Sequence, residues 1–241
     1  MIIADWAAPT HIKTLITTRL GGVSQAPFDS NNLGNHVGDN PNHVAHNRES
    51  LVKNIGHNIV WLNQTHSTEV LTLGQGITPT CVDADASFTN DLKTPCCVMT
   101  ADCLPLLVTN NGGTKVAAIH GGWRGLANGI IENTLSKFQE CPSKLMVWLG
   151  PAIGPRQFEV GQDVVDTFVG RDTNNESCFV PQGNKYLADI YQLARNILLS
   201  NGVTNISGGD FCTVEQETEF YSYRRDGQTG RMASLIWIEN N

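Results

Sequence analysis

The middle of the chain is a series of short apolar runs of strand length, each ending abruptly in polar or Gly-rich sequence. KVAAIH stops at His120 before Gly121, Gly122, Trp123, Arg124 and Gly125. CCVMT and LPLLVT are separated by Ala101, Asp102 and Cys103, and IVWLN runs into Gln64, Thr65 and His66. Apolar runs of this length bounded by turn residues read as strands. KVAAIH and LPLLVT are apolar at consecutive positions, which requires cover on both faces of the strand. With EVLTL, KLMVWLG, FYSYR and ASLIWI added, the pattern predicts an α+β fold in which mixed β-sheets pack together and are flanked by helices.

Three helices are predicted around these strands. In DNPNHVAHNRESLVKNIG, Asn40 is an N-cap, Pro41 fits the first turn, Val44, Leu51, Val52 and Ile55 form one stripe, and Gly56 ends it. In LADIYQLARNILLSNG, Asp189 caps, Ile190, Leu193, Ala194, Ile197 and Leu198 recur at helical spacing, and Gly202 stops the run. The third runs through LANGIIENTLSKF with Ile130, Ile131, Leu135 and Phe138 inward. The Asn-, Asp-, Gly- and Ser-rich stretch from Arg171 to Lys185 is predicted to be a mobile loop.

With 241 residues, 40% apolar and 16% charged, the chain can bury a substantial core and reads as one domain over residues 1–241. Its net charge of -7 comes without any basic block, which excludes a nucleic-acid backbone partner and favours a small-molecule substrate. No secretory leader or membrane-length apolar run is visible, so a soluble, cytoplasmic protein without a membrane partner is expected. Cys81, Cys96, Cys97, Cys103, Cys141, Cys178 and Cys212 lack framework spacing and suit reduced thiols.

Chemistry concentrates at the breaks. If the ends of the three runs meet in space, His66, Cys103 and His120 converge, and two imidazoles with one thiolate suit a zinc ion that keeps an open fourth position. The same trio also fits a metal-free cysteine nucleophile activated by histidine. The Gly-rich turn after His120 opens a helix whose N-terminus can take an anion, although it can equally be a tight turn with His120 packed. Asp102 beside Cys103 is either held by a metal or substrate hydroxyl, or caps a solvent-facing hairpin in which Cys103 is inert. Arg224, Arg225 and Arg231 in FYSYRRDGQTGRM, and Arg19 in TTRLGGVS, are anion clamps or surface groups. His11, His36, His43, His46 and His57 lack such partners and read as structural.

Taken in order, TTRLGGVS, NLGNHVGDNPNHVAHNR, WLNQTHS, DADASFT, VMTADCLPLLV, AAIHGGWRGLANGI, WLGPAIGP, FEVG, CT and FYSYRRDGQTGRMA resemble the laccase-domain family over nearly the whole chain. Its members are described as multicopper polyphenol oxidases, as purine nucleoside phosphorylases with adenosine deaminase side activity, and in bacteria as a peptidoglycan editing factor. The resemblance implies a layered α/β/β/α, cysteine-hydrolase-like fold and a metal carried by His66, Cys103 and His120. Gly121 stands where Ala is usual, a difference expected to alter turn flexibility only, and Arg156 stands where many relatives have Cys. Laccase chemistry needs many histidines, often as His-x-His pairs, and this chain has seven His and no such pair.

The function implied is a zinc-dependent purine nucleoside phosphorylase, with copper as the alternative metal, acting on adenosine, inosine, guanosine or 5'-methylthioadenosine. Arg48 or Arg124 is expected at the phosphate and Gln64 at the purine edge, with adenosine deamination as a further activity of the same metal. Two rivals stand beside it: a cysteine amidase or hydrolase in peptidoglycan precursor editing, with Cys103 as nucleophile, and a non-catalytic nucleotide- or metal-binding module. A monomer or small homo-oligomer is expected.

Overall fold

The computed structural model describes residues 1–74 and 82–240, and Cys81 lies outside the described residues. In chain order the elements are β1 (Ile12–Ile16), α1 (Pro41–Ile55), β2 (Val70–Thr72), β3 (Ala86–Thr89), β4 (Cys96–Thr100), β5 (Leu104–Asn110) and β6 (Val116–Gly121). There follow α2 (Trp123–Asn128), α3 (Ile130–Phe138), β7 (Leu145–Leu149), β8 (Glu159–Val160), α4 (Gln162–Arg171), β9 (Phe179–Gln182) and β10 (Lys185–Ala188). The last elements are α5 (Ile190–Ser200), β11 (Asn205–Gly208), α6 (Tyr223–Asp226) and β12 (Met232–Ile238).

A six-stranded sheet has the order β11-β7-β5-β6-β3-β2, a three-stranded sheet β1-β12-β4, and a small sheet β8-β10-β9. The large sheet is mixed: β2 with β3 and β7 with β11 are parallel, the other pairs antiparallel. Strand alternation assigns the faces. Leu104, Leu106, Val108, Ala117, Ile119, Val147 and Leu149 pack with residues of α2, α3, α4 and α5. Leu107, Val116, Ala118 and Trp148 point the other way, into a core shared with Ile12, Ile16, Cys96, Val98, Ile236 and Ile238 of the three-stranded sheet. The outer face of that sheet, through Cys97, Met99, Ala233, Leu235 and Trp237, is closed by Leu51, Val52 and Ile55 of α1. The layers are therefore helix, sheet, sheet, helix, and the consecutive apolar positions of LPLLVT and KVAAIH reflect a sheet covered on both sides.

The caps expected at both ends of α1 are present: Asn40 accepts from the Asn42 N–H, and Gly56 is left-handed with φ 75°. Asp189 caps α5 through the Gln192 N–H. Four expectations are corrected. The third helix is broken at Gly129, whose left-handed φ of 104° ends α2 and starts α3. Residues 171–185 carry a 3-10 turn, Thr173–Cys178, and most of the β9-β10 hairpin, because Asp172 caps the turn and Asn175 is buried with its amide on the Phe168 carbonyl. FYSYR is not a strand: Phe220 and Tyr221 are buried, and Ser222 caps α6 by accepting the Arg225 N–H. IVWLN forms only an isolated bridge, Asn63 to Asp83. Among the described residues no helix is long and apolar enough to cross a membrane.

Candidate active site

The segment Thr100–Cys103 crosses from the three-stranded to the six-stranded sheet, because β4 belongs to one and β5 to the other. The crossing is sharp, and Asp102 adopts a left-handed φ of 92° to make it. Its buried carboxylate accepts the Thr213 hydroxyl at 2.6 Å and the Arg224 N–H at 2.6 Å, and its carbonyl accepts the Ile153 N–H at 2.9 Å. Asp102 is thus a latch that ties the crossing to the C-terminal part of the chain, neither a metal-held group nor the cap of a solvent-facing hairpin. The crossing delivers Cys103 to the start of β5.

Register then brings the partners in. Leu104 pairs with Gly121 and Pro105 with His120, so Cys103 meets the end of β6. His120 continues the row of Val116 and Ala118 on the inter-sheet face, and it is buried. Gly122 follows without a side chain because a Cβ there would stand 2.6 Å from His66 Cδ2 and 3.4 Å from Cys103 Sγ. His66 arrives from the loop before β2 in a left-handed conformation, φ 60°. Gly121 is also constrained: a Cβ would meet the Leu104 carbonyl at 2.8 Å.

One carboxylate, Asp85, organises both histidine segments. It is fully buried just before β3, and it accepts the backbone N–H of Thr65 at 3.2 Å, of His66 at 3.0 Å and of Ser67 at 2.6 Å, together with the Ser67 hydroxyl at 2.7 Å. Its Oδ1 also lies 2.7 Å from His120 Nδ1, and since a carboxylate only accepts, His120 donates there and turns Nε2 toward the other two donors. Burial pushes the Asp85 carboxyl up, but the hydrogen bonds from His120 and Ser67 outweigh it and hold the group down at about 2.

One donor atom from each of His66, Cys103 and His120 lies within 4.8 Å of the others, with Cys103 Sγ 3.8 Å from His66 Nε2. The imidazole rings of His66 and His120 stand edge to face at 4.9 Å. Donors on a tetrahedral metal of this type are roughly 3.3–3.7 Å apart, so a small contraction lets all three reach one ion. Burial pushes the Cys103 thiol up, but the charge of His120 and hydrogen bonding from both histidines bring it down to about 6. His120 moves in the opposite direction: burial lowers it, and Cys103 and Asp85 raise it further. An imidazolium–thiolate pair is the state this arrangement favours without a metal.

The trio opens into a cleft of about 360 Å³, also lined by Gln64, Met99, His36, Tyr223 and Arg231. Gln64 reaches the cleft with an amide that already pairs with Met99, accepting its N–H and donating to its carbonyl, both at 2.7 Å. Arg48 and Arg124 are not brought to the cleft lining. Arg48 donates to the Leu33 carbonyl at 2.9 Å and stacks 4.1 Å over Trp61, and Arg124 is exposed 4.3 Å over the ring of Trp123. The side chain of Arg224 is spent on the backbone carbonyls of Gln157 and Glu159, and that of Arg225 on the carbonyls of Thr213, Val214 and Phe220 and on the Asp226 carboxylate. His36, which the sequence alone presents as structural, lines the cleft instead, and Asp85 is a site residue to which the sequence alone assigns no role.

Similarity to known proteins runs the length of the chain. It is 50% identical over 240 residues to the purine nucleoside phosphorylase YfiH of Shigella flexneri, covering 99% of this chain and 98% of the relative. It is 48% identical over 238 residues to the purine nucleoside phosphorylase PA4543 of Pseudomonas aeruginosa, covering 98% and 97%. The crystal structure of Neisseria meningitidis protein NMB0706 superposes with a TM-score of 0.96 at 50% identity over 99% of each chain. That of YlmD from Geobacillus stearothermophilus gives 0.88 at 29% identity, over 96% of this chain and 93% of the other. Residues 13–239 match the family model for multi-copper polyphenol oxidoreductase laccase, and the chain belongs to that family.

Proposed function

We propose that the chain is a zinc-dependent purine nucleoside phosphorylase. The observation that carries this reading is the convergence of His66, Cys103 and His120 on the wall of a ligand-sized cleft, in a chain whose full-length relatives bear that name. A thiolate with two imidazoles and a vacancy matches zinc, and the carboxylate on the far nitrogen of His120 is the second layer such sites need. Bound there, zinc supplies Lewis acidity toward an oxygen in the cleft.

In phosphorolysis an oxygen of phosphate bonds to ribose C1' as the C1'–N9 bond breaks. The electron pair goes to the purine, which takes up a proton and leaves, so the products are ribose 1-phosphate and the free base. The cleft volume of about 360 Å³ lies within the range of small-molecule sites and admits a nucleoside. Asp85 keeps the Nδ1 proton on His120, Asp102 fixes the crossing that carries Cys103, and the Gln64 Nε2 hydrogen not donated to Met99 is free to meet the purine edge. Adenosine, inosine, guanosine and 5'-methylthioadenosine are the proposed substrates, with adenosine deamination at C6 as a side activity.

Incubation of the metal-loaded protein with each nucleoside and phosphate, followed by chromatography, tests the reading. Free base with ribose 1-phosphate supports it, inosine from adenosine without base release replaces phosphorolysis by deamination, and no turnover of any nucleoside overturns both. One observation favours a second reading: Cys103, His120 and Asp85 also form a cysteine–histidine–carboxylate series, as a cysteine amidase in peptidoglycan precursor editing would use. A trapped acyl-thioester on Cys103 in metal-free, active protein would select that reading.

A further inference from the structure

The wall of the cleft beside the donor trio carries a guanidinium, in a chain whose net charge is -7. Among the described residues that line the cleft there is no Asp or Glu, whereas Arg231 and His36 both do. The two are set on one frame. The Leu33 N–H donates to the Arg231 carbonyl at 3.1 Å, and the Arg231 N–H donates to Asn32 Oδ1 at 2.9 Å, so the segment that carries His36 is bound to the chain entering β12. The Leu33 carbonyl takes the Nε–H of Arg48 at 2.9 Å, which brings a second guanidinium behind the same segment. A Cβ on Gly34 would stand 2.8 Å from Arg231 Cγ, so glycine there lets the arginine stem lie flat against the loop.

Only one of the guanidinium nitrogens of Arg231 is engaged, Nη1, on the carbonyls of Thr229 and Gly230 at 3.0 Å each. Among the described residues Nε and Nη2 donate to nothing, and neither ring nitrogen of His36 has a hydrogen-bond partner. Burial and then the charges of Arg231 and Arg48 hold His36 below its ordinary value, so at neutral pH it is an uncharged imidazole with one N–H to offer. A guanidinium and an imidazole held together on one frame, with donors left over, suit a tetrahedral oxyanion, and a fork of two N–H groups matches its edge.

We infer that Arg231 and His36, with Arg48 behind them, form the subsite for the phosphate co-substrate. This rests on the phosphorylase reading and replaces Arg124 as the group that meets phosphate. It gives the guanidinium on the wall of a cleft meant for a neutral nucleoside a use: its unspent N–H groups are for the second reactant.

The test is calorimetric titration of the zinc-loaded protein with inorganic phosphate, beside the KM values for phosphate and for inosine, in the wild type, Arg231→Gln, Arg231→Lys and His36→Gln. Loss of a bidentate charged partner should weaken phosphate binding about tenfold or more in Arg231→Gln, and loss of His36 should weaken it several-fold. The KM for inosine and the zinc content should stay within about twofold of the wild type. Arg231→Lys keeps the charge without the fork and should fall between. His36 makes no hydrogen bond in the fold, so His36→Gln carries the test if Arg231→Gln does not fold. Folded, zinc-loaded Arg231→Gln and His36→Gln with unchanged phosphate affinity would overturn the subsite while ribose 1-phosphate formation still upheld the phosphorylase reading. Phosphate binding lost in the variants, with no nucleoside turnover by any form, would leave the subsite standing and remove that reading. Adenosine 5'-monophosphate is the last arm: tighter binding than adenosine, abolished in the variants with the phosphate KM unchanged, would assign the subsite to a phosphate carried by the substrate and overturn the inference.

Discussion

Asp85→Asn is the substitution with the most to lose at this site. The carboxylate is fully buried and accepts three backbone N–H groups, one hydroxyl and the His120 ring. An asparagine in its place must present an N–H to one of those donors, leaving two donors facing each other away from bulk solvent. Asp85 is held from 3.8 down to about 2 in the fold, and at about 1.4 kcal/mol per tenfold change this is about 2 kcal/mol of stability. The sign follows from a depressed acid: the contribution is complete above about pH 4 and is lost as the pH falls through about 2. Adding part of the cost of an unpaired buried donor, about 1–3 kcal/mol, gives about 3 kcal/mol for Asp85→Asn at pH 7. With a urea slope of about 2–3 kcal/mol/M for a chain of this size, the midpoint of the metal-free protein should fall by about 1 M. Because both histidine segments hang on this residue, a competing chelator should show zinc affinity reduced about 10–100-fold. Unchanged urea midpoint and unchanged zinc affinity in Asp85→Asn would refute the reasoning.

Further consequences are as direct. In metal-free protein the absorbance of the Cys103 thiolate near 240 nm, taken as the difference from Cys103→Ser, should persist down to a midpoint at about 6 and vanish as pH falls through it, and a midpoint above about 8 would remove the pairing with His120. Gly122→Ala places a methyl 2.6 Å from His66 Cδ2, so zinc affinity should drop about tenfold or more while the circular dichroism spectrum is kept. Thr213→Val takes the hydroxyl from Asp102 Oδ1, with an expected loss of about 1–3 kcal/mol in urea unfolding and no change in the zinc donor set.

The donor trio was legible because each member closes an apolar run, and strands that pair bring their ends together: His120 stands across from Pro105, two residues beyond Cys103. The layered sheets were legible for a related reason, since only a strand covered on both faces carries a run such as LPLLVT. Asp85 carried no such mark. Its partners lie 18 to 35 residues away in sequence, and DADASFT reads as an ordinary polar stretch until β3 is seen to pair with β6. The helix Gln162–Arg171 does carry a signal, Val164, Val165, Phe168 and Val169 on one side, obscured by the glycines around it. FYSYR looked like a strand by its aromatic content, yet Ser222 three residues before Arg225 is the spacing of a helix cap. His36 sits in a loop without periodicity, and the bonds of Leu33 and Asn32 to Arg231, 198 and 199 residues apart in sequence, bring it to the cleft.

The central claim is that a sulfur and two ring nitrogens from three separate segments close on a single ion. Zinc-edge X-ray absorption on the purified protein measures this directly. One zinc per chain with one sulfur at about 2.3 Å and lighter donors, two of them imidazole, at about 2.0–2.1 Å is the expected result. A protein that holds no metal in stoichiometric amount, or whose metal has no sulfur neighbour, would contradict it.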